Sequence, residues 1–459
     1  MALPTMGVPD TGDTAWMLAS AALVMVMTPG LAFFYGGMVR AKGVLNMMMM
    51  SMSALGVVGL VWVLYGYSVA FGEDWAGVLG DPSQFFGLAG LLGGNGAMQS
   101  PTGGGPVHIA LVGTVPATVF VAFQMMFAIV TVALISGAVA DRMRIGPWML
   151  FAGLWASLVY SPVAHWVFAV DGVAAAHGGW IVNQLKAVDF AGGTAVEINA
   201  GAAGLVLAVI VGRRHGWPAD AMRPHNLPFV MLGSGLLWFG WYGFNSGSTL
   251  TANGAAGTTF ITTTVAACTG LLAWLVVERL RDGHATSLGA ASGIVAGLVA
   301  ITPSCASVNV LGAVLIGVIA GAACALAVGL KHRLGFDDSL DLVGVHLVGG
   351  IVGTLMIGLV AAPQSPAGVR GLFYGGGVDQ LWRQAVAAGA VLAFSLVATT
   401  LIAYALKFTI GLRIDDEAEQ GGIDEAEHAE SAYDFAPAHS NGRQHVLGSA
   451  LAATAARRT

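Results

Sequence analysis

Two stretches decide the fold: Asp189-Phe-Ala-Gly-Gly-Thr-Ala-Val-Glu197-Ile-Asn-Ala-Gly201 and Asp341-Leu-Val-Gly-Val-His346-Leu-Val-Gly-Gly350. Each sets acid or base residues beside a run of small and apolar residues. A charged side chain at bilayer depth costs roughly 2.5 kcal/mol or more, so it faces a bundle interior and serves a pathway. Asp189, Glu197 and His346 therefore point to polar or protonic traffic through a membrane.

The rest of the chain agrees. Of 459 residues, 56% are hydrophobic and only 10% charged, and mean hydropathy is +0.76. Soluble domains carry about 25% charged residues, so the composition is that of an integral membrane protein. The 66 glycines suit helices whose backbones approach closely in lipid. Much of the net charge of −6 sits in a short acidic tail, and no basic tract points to nucleic acid. Cys268, Cys305 and Cys324 match no metal spacing and no disulfide framework. There is no hydrolytic triad, Walker loop or redox motif, so neither an enzyme nor a cofactor is expected. The first apolar run lacks a basic start and is too long for a signal peptide, which makes it a retained helix.

Apolar runs able to span about 30 Å of hydrocarbon fall near 14–35, 44–71, 110–139, 147–170, 194–212, 227–247, 255–277, 286–302, 308–330, 342–362 and 384–410. These predict an all-α integral membrane protein of eleven transmembrane helices. Arg40/Lys42, Arg142/Arg144, Arg213/Arg214/Arg223, Arg279/Arg281, Lys331/Arg333 and Lys407/Arg413 share one side of that arrangement. The positive-inside rule then sets the N-terminus out and the C-terminus in. Aligning Glu197 with His346 makes small residues recur at the third, fourth and seventh positions after each. Spans five and ten thus read as counterparts in opposite orientation, an inverted repeat of spans 1–5 and 6–10 plus an eleventh helix. Two other stretches are given no function. The loop 93–105 reads as a flexible external connector, and Met47 to Met50 as greasy packing.

At this level the residues resemble the ammonium transporter family (bacterial and plant Amt, fungal Mep, animal Rh proteins), and Amt more than Rh. The resemblance rests on Thr28-Pro-Gly-Leu-Ala-Phe-Phe-Tyr-Gly-Gly37, Phe123-Gln-Met-Met-Phe127, Tyr160-Ser-Pro-Val-Ala-His165, Asp189-Phe-Ala-Gly-Gly193, Gly240-Trp-Tyr-Gly-Phe-Asn-Ser-Gly-Ser248 and Gly344-Val-His346. It runs to about residue 435. It implies a homotrimer in the cytoplasmic membrane, each subunit with its own pore, an outer vestibule that recruits ammonium, a phenylalanine gate, and two facing histidines. By the same resemblance Asp189 lies beneath the recruitment site. Phe123, Phe127 and Phe244 surround the entrance, with Phe127 and Phe244 as the gate. Ser248 accepts a hydrogen bond from the ion, Trp241 stands beside the pore, and Asp341 is the cytoplasmic-side aspartate before His346.

Two departures stand out. Glu197 occupies the place of the first pore histidine, a variation also found in some fungal members. Phe168 occupies that of the vestibule tryptophan, with an outer loop before Asp189 longer than expected; Trp166 or Trp180 is a candidate for the missing indole.

Elementary chemistry gives these residue types a purpose. Ammonium and potassium are alike in size and charge, so a charged pore discriminates poorly. Neutral ammonia, however, crosses an apolar passage that potassium cannot enter without its charge. Aromatic faces and a hydroxyl recruit the cation first, at roughly 0.5–2 kcal/mol per aromatic contact. A Glu197–His346 pair can then hold one proton between its members and titrate as a unit. The expectation is electrogenic ammonium uptake with the proton carried by that pair. The rival reading of the pair is a static prop. The rival readings of the whole are an ammonium receptor with little flux and a passive Rh-like channel for ammonia or carbon dioxide. Bland roles compete too: phenylalanines four apart are core packing elsewhere, Asp189 can cap a helix, Asn245 can hydrogen-bond between helices, and His165 and His177 suit the outer surface. Residues 1–412 form the transport domain and 413–435 a cytoplasmic tail, for which the resemblance implies regulation and a PII-type signalling partner. Residues 436–459 read as a disordered extension.

Overall fold

The computed structural model describes residues 4–92 and 108–433. The loop 93–105 and the extension 436–459, both singled out above, lie outside the described residues. Among these, ten helices are long and apolar enough to cross a membrane. They are α1 (Thr11–Met38), α2 (Ala41–Phe71), α3 (Ala117–Ala138), α4 (Ile145–Phe168), α5 (Gly193–Val211), α6 (Leu227–Ser246), α7 (Gly254–Asp282), α9 (Val310–Leu334), α10 (Val343–Val360) and α11 (Asp379–Thr409). The eighth expected span is the shorter apolar helix α8, Ser287–Ile301. At 15 residues it rises only about 22 Å.

The helices are apolar all round, and small residues fix how they cross. Along the α1–α6 seam, a Cβ at Gly30 would lie 3.0 Å from the Leu236 Cβ, and one at Gly37 would lie 2.7 Å from the Asn226 carbonyl oxygen. The same device recurs between α5 and α10. Gly201, four residues after Glu197, leaves only 2.6 Å between a built Cβ and the Leu347 amide nitrogen. Gly350, four residues after His346, leaves 2.8 Å to the Glu197 Cβ. Both helices also open with a widened π turn, over Gly193–Ile198 and Val343–Leu347. Such turns gather at functional sites, and here they carry Glu197 and His346.

One expected boundary is corrected. The third apolar run was read as helical from residue 110, but Ile109–Val112 is a strand and the helix starts at Ala117. The segment Ile-Ala-Leu-Val-Gly-Thr-Val-Pro is rich in β-branched residues. Gly113 takes φ +60° in the tight turn, and Pro116 disfavours helix in the residue before it. The resulting small sheet joins β1 (Thr5–Gly7), β4 (Ile109–Val112) and β5 (Val115–Pro116), in the order β1-β4-β5. A second hairpin pairs β2 (Asp74–Trp75) with β3 (Leu79–Gly80).

At the other end the basic loops meet the acidic tail. Arg142 is fully buried and donates to the carbonyls of Gly212 at 2.7 Å, Ala138 at 3.0 Å and Asp337 at 2.6 Å. Burial lowers its pKa to about 10. Arg214 grips Asp337 through two nitrogens at 2.8 and 2.9 Å. Burial alone would raise the Asp337 pKa, but the Arg214 hydrogen bond and the Arg142 charge bring it below the ordinary value. The tail forms α12 (Asp416–Gly421) and α13 (Ile423–His428) and docks on the loops of its own chain. Asp424 accepts the amides of Leu45 and Asn46 at 2.9 and 2.8 Å, at the start of α2. Glu427 accepts the Ile145 amide at the start of α4, 3.0 Å, and Glu419 accepts the His215 amide and pairs with Arg413, both at 2.6 Å.

Candidate functional site

Four spaces mark the helix bundle: one at the end that the charge pattern sets outside, a small lumen, and two at the opposite end. The outer cavity, about 470 Å³, is lined by Phe123, Phe127, Phe168, Asp189 and Ser248 among others. Five of the seven residues singled out for recruitment therefore share one wall. Its polar handle is Ser248, whose hydroxyl donates to the Phe244 carbonyl at 2.7 Å. That bond uses the hydroxyl hydrogen and leaves the oxygen lone pairs for an incoming N–H donor.

The floor of this cavity is aromatic. Phe127 from α3 and Phe244 from α6 stack at 4.0 Å between centroids with 12° between their planes. Phe123 leans on Phe127 at 4.9 Å, and Phe168 meets it edge-on at 6.4 Å. Phe244 sits in a further π turn, Tyr242–Ser246. Phe123, Phe127 and Phe244 are each 1% exposed, so the stack blocks the way inward unless a ring swings.

Beneath it lies a lumen of only about 10 Å³, lined by Leu31, Phe34, Val130, Trp241, Glu197 and His346 among others. That is about the space one water requires. Trp241 is fixed by an indole N–H donated to the Thr302 hydroxyl at 2.8 Å and packs on Phe244 at 5.6 Å. Glu197 and His346, far apart in the chain, meet here: Oε2 and Nδ1 are 2.7 Å apart and both side chains are buried. With Nδ1 so engaged, Nε2 is the only imidazole nitrogen left for a second partner.

Asp189 is committed to the backbone. Its Oδ1 accepts the amides of Gly192 and Gly193 at 2.8 and 2.6 Å, and its Oδ2 those of Thr194 and Ala195 at 2.7 and 3.2 Å. The Thr194 hydroxyl adds a fifth bond. Gly192, at φ +116°, turns these amides inward in a conformation that few other residues adopt. The carboxylate thus caps the helix that carries Glu197 and lines the cavity.

Asp341 lies at the opposite end. It pairs with Lys331 at 2.6 Å and lines two inner cavities of about 760 and 310 Å³, together with Lys331 and His332. The residue that corresponds to Asp189 in place is Asp338, which the sequence reading missed. Its Oδ2 accepts the Val343 amide at the start of α10, 2.7 Å, as Asp189 does at the start of α5. A signal was present: Asp189 precedes Glu197, and Asp338 precedes His346, by the same eight residues.

Trp166 and Trp180 pack on each other at 5.9 Å, and Trp166 packs on Phe394 at 4.8 Å. The Trp166 indole donates to the Val78 carbonyl at 2.6 Å. Neither ring lines the outer cavity. His165 is bound to the Ala70 carbonyl and to Asp74, and Asn245 donates to the Thr263 hydroxyl; both contacts tie neighbouring segments together.

The chain is similar to known proteins along nearly its whole length. The model of the Ammonium Transporter Family matches residues 15–433. An ammonium transporter of Mycobacterium bovis is 69% identical over 95% of this chain and 93% of its own length. The crystal structure of Saccharomyces cerevisiae Mep2 superposes with a TM-score of 0.79 at 34% identity, covering 89% of this chain and 88% of that one. A sensor Amt protein superposes with a TM-score of 0.80 at 27% identity, covering 91% and 98%.

Proposed function

The chain belongs to the ammonium transporter family, whose members are transporters and not enzymes, and from that premise we propose how this member works. Ammonium is recruited in the outer cavity by the faces of Phe123, Phe127 and Phe168 and by the Ser248 oxygen, with Asp189 favouring a cation. It gives up its proton near the Phe127–Phe244 stack. Ammonia then crosses the lumen beside Trp241 as a neutral molecule, and the proton passes by way of Glu197 and His346 toward Asp341 and the inner cavities. Net uptake is electrogenic. Phe168 offers a weaker π face than tryptophan and no indole N–H, so external binding is loosened and transport retained.

The observation that carries this reading is the 2.7 Å contact between Glu197 and His346 in a lumen otherwise lined by apolar side chains. Glu197 would then stand where the family has its first pore histidine. A buried carboxylate–imidazole pair is expensive to maintain and is weak support for stability alone; a shared, movable proton gives it a use. The matched glycines, π turns and aspartate caps of α5 and α10 support an inverted repeat. α8, the eighth span in chain order, is buried along nearly all its length and would bring the total to eleven. The tail's bonds to Lys42, Arg144 and Arg413 place it on the side of the basic loops, which supports a cytoplasmic C-terminus and an external N-terminus. Homotrimeric assembly in the cytoplasmic membrane and a PII-type partner at the tail face follow from the family resemblance.

The test is the transient current after an ammonium jump on proteoliposomes, with potassium as control. The expected result is a saturable, ammonium-selective current in the native protein. Glu197→Gln, which keeps shape and hydrogen bonding but cannot cycle a proton, should lower it at least about tenfold. Glu197→His should restore current with a displaced pH profile. Near-normal current and an unchanged pH profile in Glu197→Gln would sink the relay. Binding without current would favour the receptor reading, and ammonia-driven pH changes without current the gas channel.

A further inference from the structure

The outer loop between Phe168 and Asp189 folds over the recruitment cavity. Val170, Val173, Ala174, Val182, Lys186 and Val188 from this segment all line it. Lys186 is the only basic residue among the lining residues, and Asp189 the only acidic one. Its side chain is exposed and makes no ion pair or hydrogen bond among the described residues.

The backbone that carries Lys186 is held on both sides by α11. The Leu185 carbonyl accepts from Arg383 at 3.3 Å. The Val188 amide donates to the Gln384 amide oxygen at 2.7 Å, and the Val188 carbonyl accepts from the Gln384 amide nitrogen at 2.6 Å. Between these clamps Lys186 adopts φ +57° at the end of the single turn Ile181–Leu185, a left-handed conformation uncommon for a side-chain-bearing residue. The Lys186 backbone is thus held at a definite place at the mouth.

Among the described residues no carboxylate pairs with the Lys186 ammonium group. The Asp189 carboxylate accepts five hydrogen bonds at a helix start, where the helix dipole places about half a positive charge against it. Nearby Arg383 is paired with Asp379 at 2.7 Å. We propose, on the basis of the transport reading above, that Lys186 is an electrostatic brake on cation entry: its ammonium group at the mouth raises the concentration of ammonium needed to fill the outer cavity.

The brake acts through space, so its removal should follow the rules for screened charges. At an ionic strength of about 10 mM, where the screening length is about 30 Å, Lys186→Gln should lower the half-saturating ammonium concentration about two- to threefold. Lys186→Glu, a change of two charges, should lower it about four- to ninefold on the same scale. Lys186→Arg should match the native protein. All four curves should converge in about 1 M sodium chloride, where screening falls to about 3 Å. The measurement is the saturation curve of the ammonium current on proteoliposomes at both salt levels. The proposal is overturned if Lys186→Gln saturates like the native protein at low salt, if its shift persists at high salt, or if Lys186→Arg shifts as Lys186→Gln does. A native protein without an ammonium current removes the transport reading and this inference together. A native current indifferent to Lys186 removes the inference alone.

Discussion

The starts of α5 and α10 share one plan and differ in how tightly it is locked. Each has an aspartate eight residues before the pore residue, a widened first turn, and a glycine four residues after it that admits the other helix. At the outer start, Asp189 has both oxygens saturated. At the inner start, Asp338 accepts the Val343 amide through one oxygen while the other has no hydrogen-bond partner among the described residues. Burial, opposed by Lys331 and reinforced by Asp341, raises the Asp338 pKa to about 6. The outer aspartate is therefore committed to its helix start through both oxygens. The inner one, with one oxygen free of hydrogen bonds among the described residues, can gain or lose a proton near pH 6.

The strongest way to break this comparison is at the locked end. Asp189→Ala strands four amides and a hydroxyl, and should lower stability by about 3 kcal/mol or more, since a single cap is worth up to about 2 and buried orphan donors add to that. Loss of the folded trace on size exclusion, or a melting point lower by about 5 °C or more, checks it. If Asp338→Ala proves equally damaging, the inner cap is as structural as the outer one.

The glycine pair gives an intermediate effect with a built-in order. A methyl at Gly201 meets backbone atoms of Leu347 at 2.6 and 2.8 Å, whereas one at Gly350 meets the Glu197 Cβ at 2.8 Å and the Gly193 carbonyl oxygen at 3.0 Å. Gly201→Ala should cost about 2–3 kcal/mol and Gly350→Ala about 1–2, within the range for overpacking. Thermal unfolding in detergent reads the order, and the reverse order would show that α5 yields more readily than α10.

The smallest effect is a pH slope. The Asp338 pKa in the folded protein, about 6, lies above the ordinary unfolded value of about 3.9. Its contribution is therefore fully present below about pH 3.9 and is lost as pH rises through about 6. The loss amounts to about 2 kcal/mol or less, because Lys331 nearby shares the charge. Asp338→Asn cannot ionise and should flatten the melting-point profile between pH 4 and pH 6.5, leaving its slope unchanged above pH 7. An unaltered slope would show that Asp338 does not titrate there.

Much of this was legible in the chain because lipid is a severe solvent. Hydropathy located ten spans and α8, since any polar residue inside a run is conspicuous. For the same reason Glu197 and His346 stood out, and their 2.7 Å contact was anticipated from the small-residue pattern around each. Phe127 and Phe244 were readable only through family motifs, because phenylalanine in an apolar helix carries no signal of its own. Asp338 was passed over in favour of Asp341 because composition does not reveal which of three neighbouring carboxylates turns toward a helix start. Asp341 instead pairs with Lys331 from the end of α9, a partner set by the path of the chain and not by local pattern. The strand at Ile109–Val112 was hidden for a related reason: β-branched apolar residues suit a membrane helix and a buried strand equally well, and only Gly113 and Pro116 mark the difference. Likewise, acidic composition alone does not reveal that the tail's carboxylates accept the amides of Leu45, Asn46, Ile145 and His215.

The lumen between the phenylalanine stack and the Glu197–His346 pair holds about 10 Å³, room for about one small molecule. A passage that short of space cannot fill with a continuous file of water. Vesicles carrying this protein should accordingly shrink under an osmotic shock no faster than bare lipid vesicles.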